Sequence, residues 1–271
     1  TRPRMAGLPR SRRWRLKRAI SMVPSLSPTT RNSRPIAVIL ATMERRLPSE
    51  YDGWQQHEPA FRRLSTHELV SEIQDGSPDR RLAALSVIDL SEVPPATVQD
   101  WIRTLPDAEA NELAGAIPAQ RVHGSCRDDF RWVEVARLGY EARRLPTFLV
   151  MLFSSLEALE SRGCPETAGT WESVSDWLGE VYDQLQKARD EEALSDISLF
   201  VFENYLDRDA LFEAFCGMVV RHEELALRVS SNPSLLLPDL PPDRQRLVLE
   251  ECAANGGRPL TESWAALHGR V

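Results

Sequence analysis

Apolar residues recur every three or four positions through most of the chain after Ser65, and this spacing predicts α-helices. The first predicted helix has a clear start, because Ser65 and Glu68 are spaced as a capping box. Leu69 and Ile73 then supply its buried side, and Gly76 is suited to end it. The pattern therefore predicts a short amphipathic helix that begins just after Ser65.

Prolines divide the sequence that follows into three more short helices. Ser77 and Pro78 suit the N-cap and the first position of the second helix. A Pro-Pro pair at 94–95 ends that helix and starts the third, and Pro106 precedes the fourth. The sequence thus predicts four closely spaced helices, the last of which ends at Pro118.

Residues 77–117 resemble a HEAT-type helical repeat in their short paired helices, their Pro-Asp start and their Leu-Ala-Ala-Leu segment at 82–85. The Pro-Asp pair recurs at Pro106 and Pro242, but at unequal spacings, whereas a solenoid repeats with a fixed period. Repeated cap chemistry is therefore the first interpretation and degenerate repeats the second. The resemblance implies a binding scaffold of short antiparallel helix pairs.

Residues 120–145 have the weakest periodicity after the N-terminal region, and Gly124 and Gly139 interrupt them. We interpret this segment as the join between two helical parts, because a helical pattern returns from Thr147 to Ser161. The predicted fold class is all-α. Its predicted parts are a basic disordered leader (1–43), a HEAT-like part (44–120), a junction (121–145) and a helical bundle (146–271).

The best-specified helix is predicted from Thr170, as its N-cap, to Lys187. Its apolar stripe comprises Trp171, Val174, Leu178, Val181 and Leu185. The opposite side carries an acidic row of Glu172, Asp176, Glu180 and Asp183, and Trp177 lies to one side of the stripe. These four acids are expected to be solvated. Two interpretations remain open: ordinary solvation of a surface helix, or a docking face for a basic protein in which Trp177 takes part.

The next segment, 190–206, begins with acids suited to a helix N-terminus and then buries Ile197, Phe200 and Val201. A phenylalanine-rich helix follows it. Together, residues 170–220 resemble small helical domains of immunity proteins that are encoded beside bacterial polymorphic toxins. The resemblance implies stoichiometric inhibition of a partner toxin through surface complementarity, without catalysis.

The charge changes sign along the chain. Residues 1–43 contain ten Arg or Lys and no acid. The whole chain has 33 basic and 40 acidic residues, so residues 44–271 carry a net charge near −17. Arg-rich residues 1–34 are expected to be disordered, since they cannot bury enough apolar surface to fold. They suit an arm for nucleic acid or an anionic membrane, a transit peptide, or sequence upstream of the true start at Met5 or Met43.

Four cysteines, Cys126, Cys164, Cys216 and Cys252, are too widely spaced for a dense disulfide framework or a zinc ribbon. We expect reduced, mostly packed thiols, and hence a cytoplasmic protein. The longest apolar runs fall far short of the roughly 20 residues that cross a bilayer. The sequence therefore predicts no membrane-spanning helix.

Candidate catalytic chemistry is sparse. His123, Cys126, Asp128 and Asp129 come nearest to a metal clip or a Cys-His pair, but neighbouring residues rarely supply a whole site. The Gly-Gly pair at 256–257 is typical of a helix terminator and not of a phosphate loop. We therefore predict no catalytic, cofactor-binding or metal-binding residues.

The leading functional hypothesis is an acidic, non-enzymatic interaction protein of the immunity type, with a basic protein as partner. The alternative is a nucleic-acid-associated protein that acts through residues 1–34, and an enzyme ranks third.

Overall fold

The computed structural model describes residue 51, residues 53–119 and residues 126–269. The regular secondary structure of these residues is entirely helical, which confirms the predicted all-α class. The basic leader and His123 lie outside the described residues. The described residues form two compact units, which divide between Ser155 and Leu156.

The described part of the first unit contains the four predicted short helices, one shorter helix before them and two longer ones after them. Its helices are α1 (Glu58–Phe61), α2 (Thr66–Asp75), α3 (Pro78–Val87), α4 (Pro95–Thr104), α5 (Asp107–Ala119), α6 (Cys126–Arg143) and the first part of α7 (Pro146–Ser161). Short 3-10 turns lie at Trp54–Gln56 and Leu90–Glu92. The fourth predicted helix, α5, runs one residue past Pro118.

The second unit comprises the last turns of α7 and the helices that follow. These are α8 (Thr167–Ala188), α9 (Glu191–Ile197), α10 (Glu203–Tyr205), α11 (Asp209–Arg221), α12 (Glu223–Ser231), α13 (Pro233–Leu236), α14 (Pro242–Ala254) and α15 (Leu260–His268). A π-helical turn, Ser198–Phe202, connects α9 to α10. Within the segment 190–206, residues 191–205 are thus helical, and the π-helical turn in their middle is wound less tightly than an α-helix.

Local sequence explains how the first unit starts its helices and packs them. The capping box that Ser65 and Glu68 predict is present, since Glu68 N donates to Ser65 Oγ and Ser65 N donates to Glu68 Oε2. On α3, Ala83 and Ala84 are fully buried, and their small side chains let the neighbouring helices α2 and α5 approach. Gly139 of α6 serves the same purpose, because a Cβ there would lie 2.3 Å from the Phe148 ring.

A buried ion pair joins α3 to α5. Glu109 is fully buried, and the Arg81 guanidinium donates to both of its carboxylate oxygens at 2.9 Å. The Tyr51 hydroxyl donates a third hydrogen bond to Glu109 Oε1 at 3.0 Å. Arg81 also donates to the carbonyl oxygen of Gly76. The buried carboxylate is therefore compensated by charge and by hydrogen bonds.

The core of the second unit forms where α8 packs against α9 and α11, and where α14 packs against α11, α12 and α15. Asp190 caps α9 by accepting a hydrogen bond from Ala193 N, as the acidic start of this segment predicts. The α14 helix ends at Asn255 and Gly256, which has a φ of 79°, so the predicted glycine terminator is confirmed.

The cysteines differ from the prediction. Cys216 and Cys252 are free thiols, but Cys126 and Cys164 are both disulfide-bonded, so the expectation of four reduced cysteines is wrong for this pair. The argument for a cytoplasmic location depended on reduced thiols and loses its basis. Among the described helices, none combines the length and the apolar character that crossing a bilayer requires.

Candidate partner-binding face

The acidic row lies on α8, the longest helix of the second unit. This helix begins three residues before the predicted cap: Glu166 occupies the N-cap, and Thr170 lies inside the first turn, where its hydroxyl donates to Glu166 O. The predicted N-cap at Thr170 is therefore wrong. A threonine within a helix can bond back to the preceding turn, and its presence alone does not fix the start.

The buried side of α8 is wider than the predicted stripe. All five stripe residues are buried, and so are Ser175, Trp177, Gly179 and Tyr182. Helices α9 and α11 both pack against α8, which explains why more than half of its circumference is covered. The exposed side that remains forms a strip along the helix.

Three of the four predicted acids occupy that strip. Glu172, Asp176 and Glu180 are exposed and lie four residues apart, so each is one turn above the last. Within the described part of the chain, no ion pair or hydrogen bond engages these three carboxylates. We call Glu172, Asp176 and Glu180 the acidic strip. Three like charges aligned on one rigid helix create a negative potential along it.

Asp183 behaves differently from the other three. Its side chain is 33% exposed, and its Oδ1 accepts hydrogen bonds from His222 Nε2 at 2.7 Å and from Arg221 at 3.2 Å. Partial burial disfavours its charged form, but these two donors outweigh that effect and hold the pKa of Asp183 below its ordinary value. The prediction that all four acids are solvated is therefore wrong for Asp183, which connects α8 to the junction of α11 and α12.

His222 is the residue at which α11 ends and α12 begins, and its side chain is 17% exposed. Its ring lies 5.4 Å from the Tyr182 ring. The sequence gives no signal for the Asp183 connection. Gly179, one turn before Asp183, is not required by it, because a Cβ there would lie 3.8 Å from the Arg221 guanidinium, which is an ordinary van der Waals distance.

Trp177 is inside the fold. Its side chain is only 5% exposed, at the edge of the buried side of α8. The fold therefore presents little of the indole to a partner, and the residue serves chiefly as a core side chain. The prediction placed Trp177 beside the apolar stripe, whereas the buried side of α8 is wide enough to include it.

A shallow groove of about 270 Å³ lies between α4 and α6 in the first unit. Its lining residues are Gln99, Ile102, Arg103, Leu138, Glu141 and Ala142. One carboxylate and one guanidinium are the charged groups among them, and no nucleophile is present in that lining.

Two of the residues that came nearest to a metal or Cys-His site bear on that interpretation. Cys126 is disulfide-bonded, and His123 is outside the described residues. The described residues contain no group of three or more His, Cys, Asp or Glu arranged to hold a metal ion.

Comparison with known proteins gives no relative: no family model, no curated protein and no solved structure matches this chain.

Proposed function

We propose that this chain is a non-enzymatic interaction protein whose acidic strip binds a basic surface of a partner protein. The observation that supports this proposal is the exposure of three aligned carboxylates that no described basic side chain neutralises. Other acids of the unit that face neighbouring helices are paired, as Asp183, Asp209 and Glu160 are. The opposite side of this helix is packed in the core, so the row loses little conformational freedom on binding. Its unneutralised charge also speeds the encounter with a cationic partner.

The resemblance of residues 170–220 to toxin-associated immunity proteins supports a more specific form of the proposal. In that form, the partner is a toxin with a basic active surface, and the chain inhibits it stoichiometrically by covering that surface. A toxin reading frame beside the gene is the expected genomic context.

The test compares partner capture by three full-length proteins. The strip variant carries Glu172→Lys, Asp176→Lys and Glu180→Lys. A matched control makes the same change in net charge at Glu213, Asp239 and Glu262, which are exposed acids of the same unit that are not part of α8. Proteins that the parent and the control retain, and that the strip variant loses, are the strip's partners.

The association rate of an identified partner then checks the mechanism. We expect it to fall at least about tenfold for the strip variant at low salt, and the difference to shrink as salt screens the charges. Equal rates for the strip variant and the control would exclude the strip as the recognition surface.

The charge reversal of the sequence favours one second candidate, binding of nucleic acid through residues 1–34. Titrating the full chain and a chain that begins at Pro35 against DNA and RNA at two salt concentrations separates the two functions. Neutralised phosphates give a steep salt dependence, which must vanish with the arm if the arm binds nucleic acid.

A further inference from the structure

The two free cysteines of the second unit lie on two helices that pack against each other, Cys216 on α11 and Cys252 on α14. Cys252 is fully buried, and Cys216 is partly exposed. Neither thiol belongs to the acidic strip, so the proposed function gives these two cysteines no role.

Side-chain contacts on both sides of the cysteines fix the register of α11 against α14. Arg244 pairs with Asp209 and stacks over the Phe212 ring near the start of both helices. Near their ends, Asn255 Nδ2 donates to Val219 O at 2.7 Å. The two helices therefore run parallel.

These contacts also set the level of the cysteines. The bonded residues are 35 positions apart at the first contact and 36 positions apart at the second. Cys216 and Cys252 are likewise separated by 36 positions. Phe212 of α11 and Arg244 of α14 contact each other across the interface. Cys216 lies one turn after Phe212, and Cys252 lies two turns after Arg244. Each cysteine therefore shares a face with a residue that contacts the other helix. The two cysteines thus lie at the same level of the interface between α11 and α14.

The backbone at Cys252 is held in place. Gly257 N donates to Cys252 O at 2.8 Å, and a Cβ at Gly257 would lie 2.6 Å from that oxygen. Cys252 therefore lies in the last turn of α14, where this hydrogen bond closes the end of the helix.

We propose that Cys216 and Cys252 are an oxidative modification site, at which a peroxide converts the two thiols into a disulfide that links α11 to α14. In the first step, the Cys216 sulfur attacks one peroxide oxygen, forms a sulfenic acid and releases one water. In the second, the Cys252 sulfur attacks the Cys216 sulfur and displaces the hydroxyl group, which leaves as the second water with the Cys252 proton. Two thiols are oxidised, and one hydrogen peroxide is reduced to two waters.

Exposure sets the order of the two steps, because peroxide reaches Cys216 before the buried Cys252. Burial raises the pKa of Cys216 to about 11, and burial together with the neighbouring Cys216 raises that of Cys252 to about 12. Since the thiolate is the reactive form, the reaction is slow at neutral pH, and its rate should rise roughly tenfold per pH unit between pH 7 and 9.

The experiment treats the folded full chain with hydrogen peroxide in the absence of reductant at pH 7, 8 and 9. Free thiols are counted in denaturant before and after treatment, and disulfide-linked peptides are mapped by mass spectrometry. We expect two thiols per chain to fall to none, with a mass loss of about 2 Da and a peptide pair that links Cys216 to Cys252. Stable sulfinic acid on Cys216 beside a free Cys252, covalent dimers, or no reaction at pH 9 would each overturn the proposal.

Two variants control for the order of the steps. Cys252→Ala should accumulate a sulfenic acid on Cys216 that dimedone traps, since no second thiol resolves it. Cys216→Ala should leave Cys252 unmodified while the chain is folded. Modification of Cys252 in that variant, with a circular dichroism spectrum equal to the parent's, would also count against the proposed route.

Discussion

The carboxylates of the first unit and those of α8 have the same chemistry but opposite surroundings. Glu109 is fully buried and receives hydrogen bonds from Arg81 and Tyr51. Glu172 and Asp176 are exposed, and no described side chain pairs with them. A buried charge supports the fold only when the fold neutralises it, whereas an unpaired charge on a rigid surface is available to a partner.

The largest expected effect concerns Glu109. Replacing it with Ala leaves the Arg81 guanidinium without its partner in a mostly buried position, so we expect the free energy of unfolding to fall by about 3–5 kcal/mol. Urea denaturation, followed by circular dichroism, measures the change.

A double variant sharpens this prediction. Combining Arg81→Met with Glu109→Leu removes both charges and should recover most of the lost stability, because well-packed apolar residues can replace a buried ion pair. If Glu109→Ala unfolds no more easily than the parent, the buried pair does not stabilise the first unit. Glu109 would then be no example of a charge that supports the fold.

The second prediction concerns Trp177. Because the side chain is buried, Trp177→Ala should lower the free energy of unfolding by about 3 kcal/mol through loss of packing. Trp177→Phe should lose much less. Were the alanine variant as stable as the parent but defective in partner binding, the residue would belong to a contact patch after all.

The sequence predicts the features that depend on local residue patterns, and it misses those that depend on tertiary contacts. The helices and most of their ends follow from local rules, as the Ser65 capping box and the glycine terminator after α14 demonstrate. The sequence also carries a trace of the buried ion pair, since Arg81 and Glu109 lie four residues before Leu85 and Leu113 and so share their apolar faces. What no local rule supplies is that these two faces meet.

The candidate face was predictable to the same extent. Helical periodicity places Glu172, Asp176 and Glu180 on the exposed side correctly. Trp177 and Asp183 were misassigned because both lie at the edges of that side, where tertiary contacts decide burial, as the contacts of Asp183 with His222 and Arg221 demonstrate. Edge positions of a helix require tertiary contacts, which a single sequence does not state.

The third prediction uses Asp183, which lies between the two extremes. Asp183→Asn should cost about 1 kcal/mol of stability at pH 7, a modest figure because the side chain is partly exposed. The contribution is fully present above the ordinary pKa of about 3.9 and is lost as pH falls through the lowered pKa of the folded state. The stability difference between parent and variant should therefore shrink below about pH 4 in urea titrations. A difference that stays constant down to pH 2.5 would show that the ion pair contributes nothing.

The smallest expected effect is on the acidic strip and has the opposite sign. Like charges four residues apart repel, so Glu172 and Asp176, and Asp176 and Glu180, each destabilise α8 by about 0.2–0.5 kcal/mol. Asp176→Asn removes both repulsions at a similar helix propensity and should raise the free energy of unfolding by about 0.4–1 kcal/mol, an effect that fades in 1 M salt. Asp176→Lys turns both repulsions into attractions and should gain about twice as much. Residues that serve to stabilise α8 would not repel one another in this way. A variant that gains stability and loses partner binding would therefore show that the acidic strip serves binding. A loss of stability in both variants would mean that Asp176 has a role in the fold, and the contrast with Glu109 would disappear.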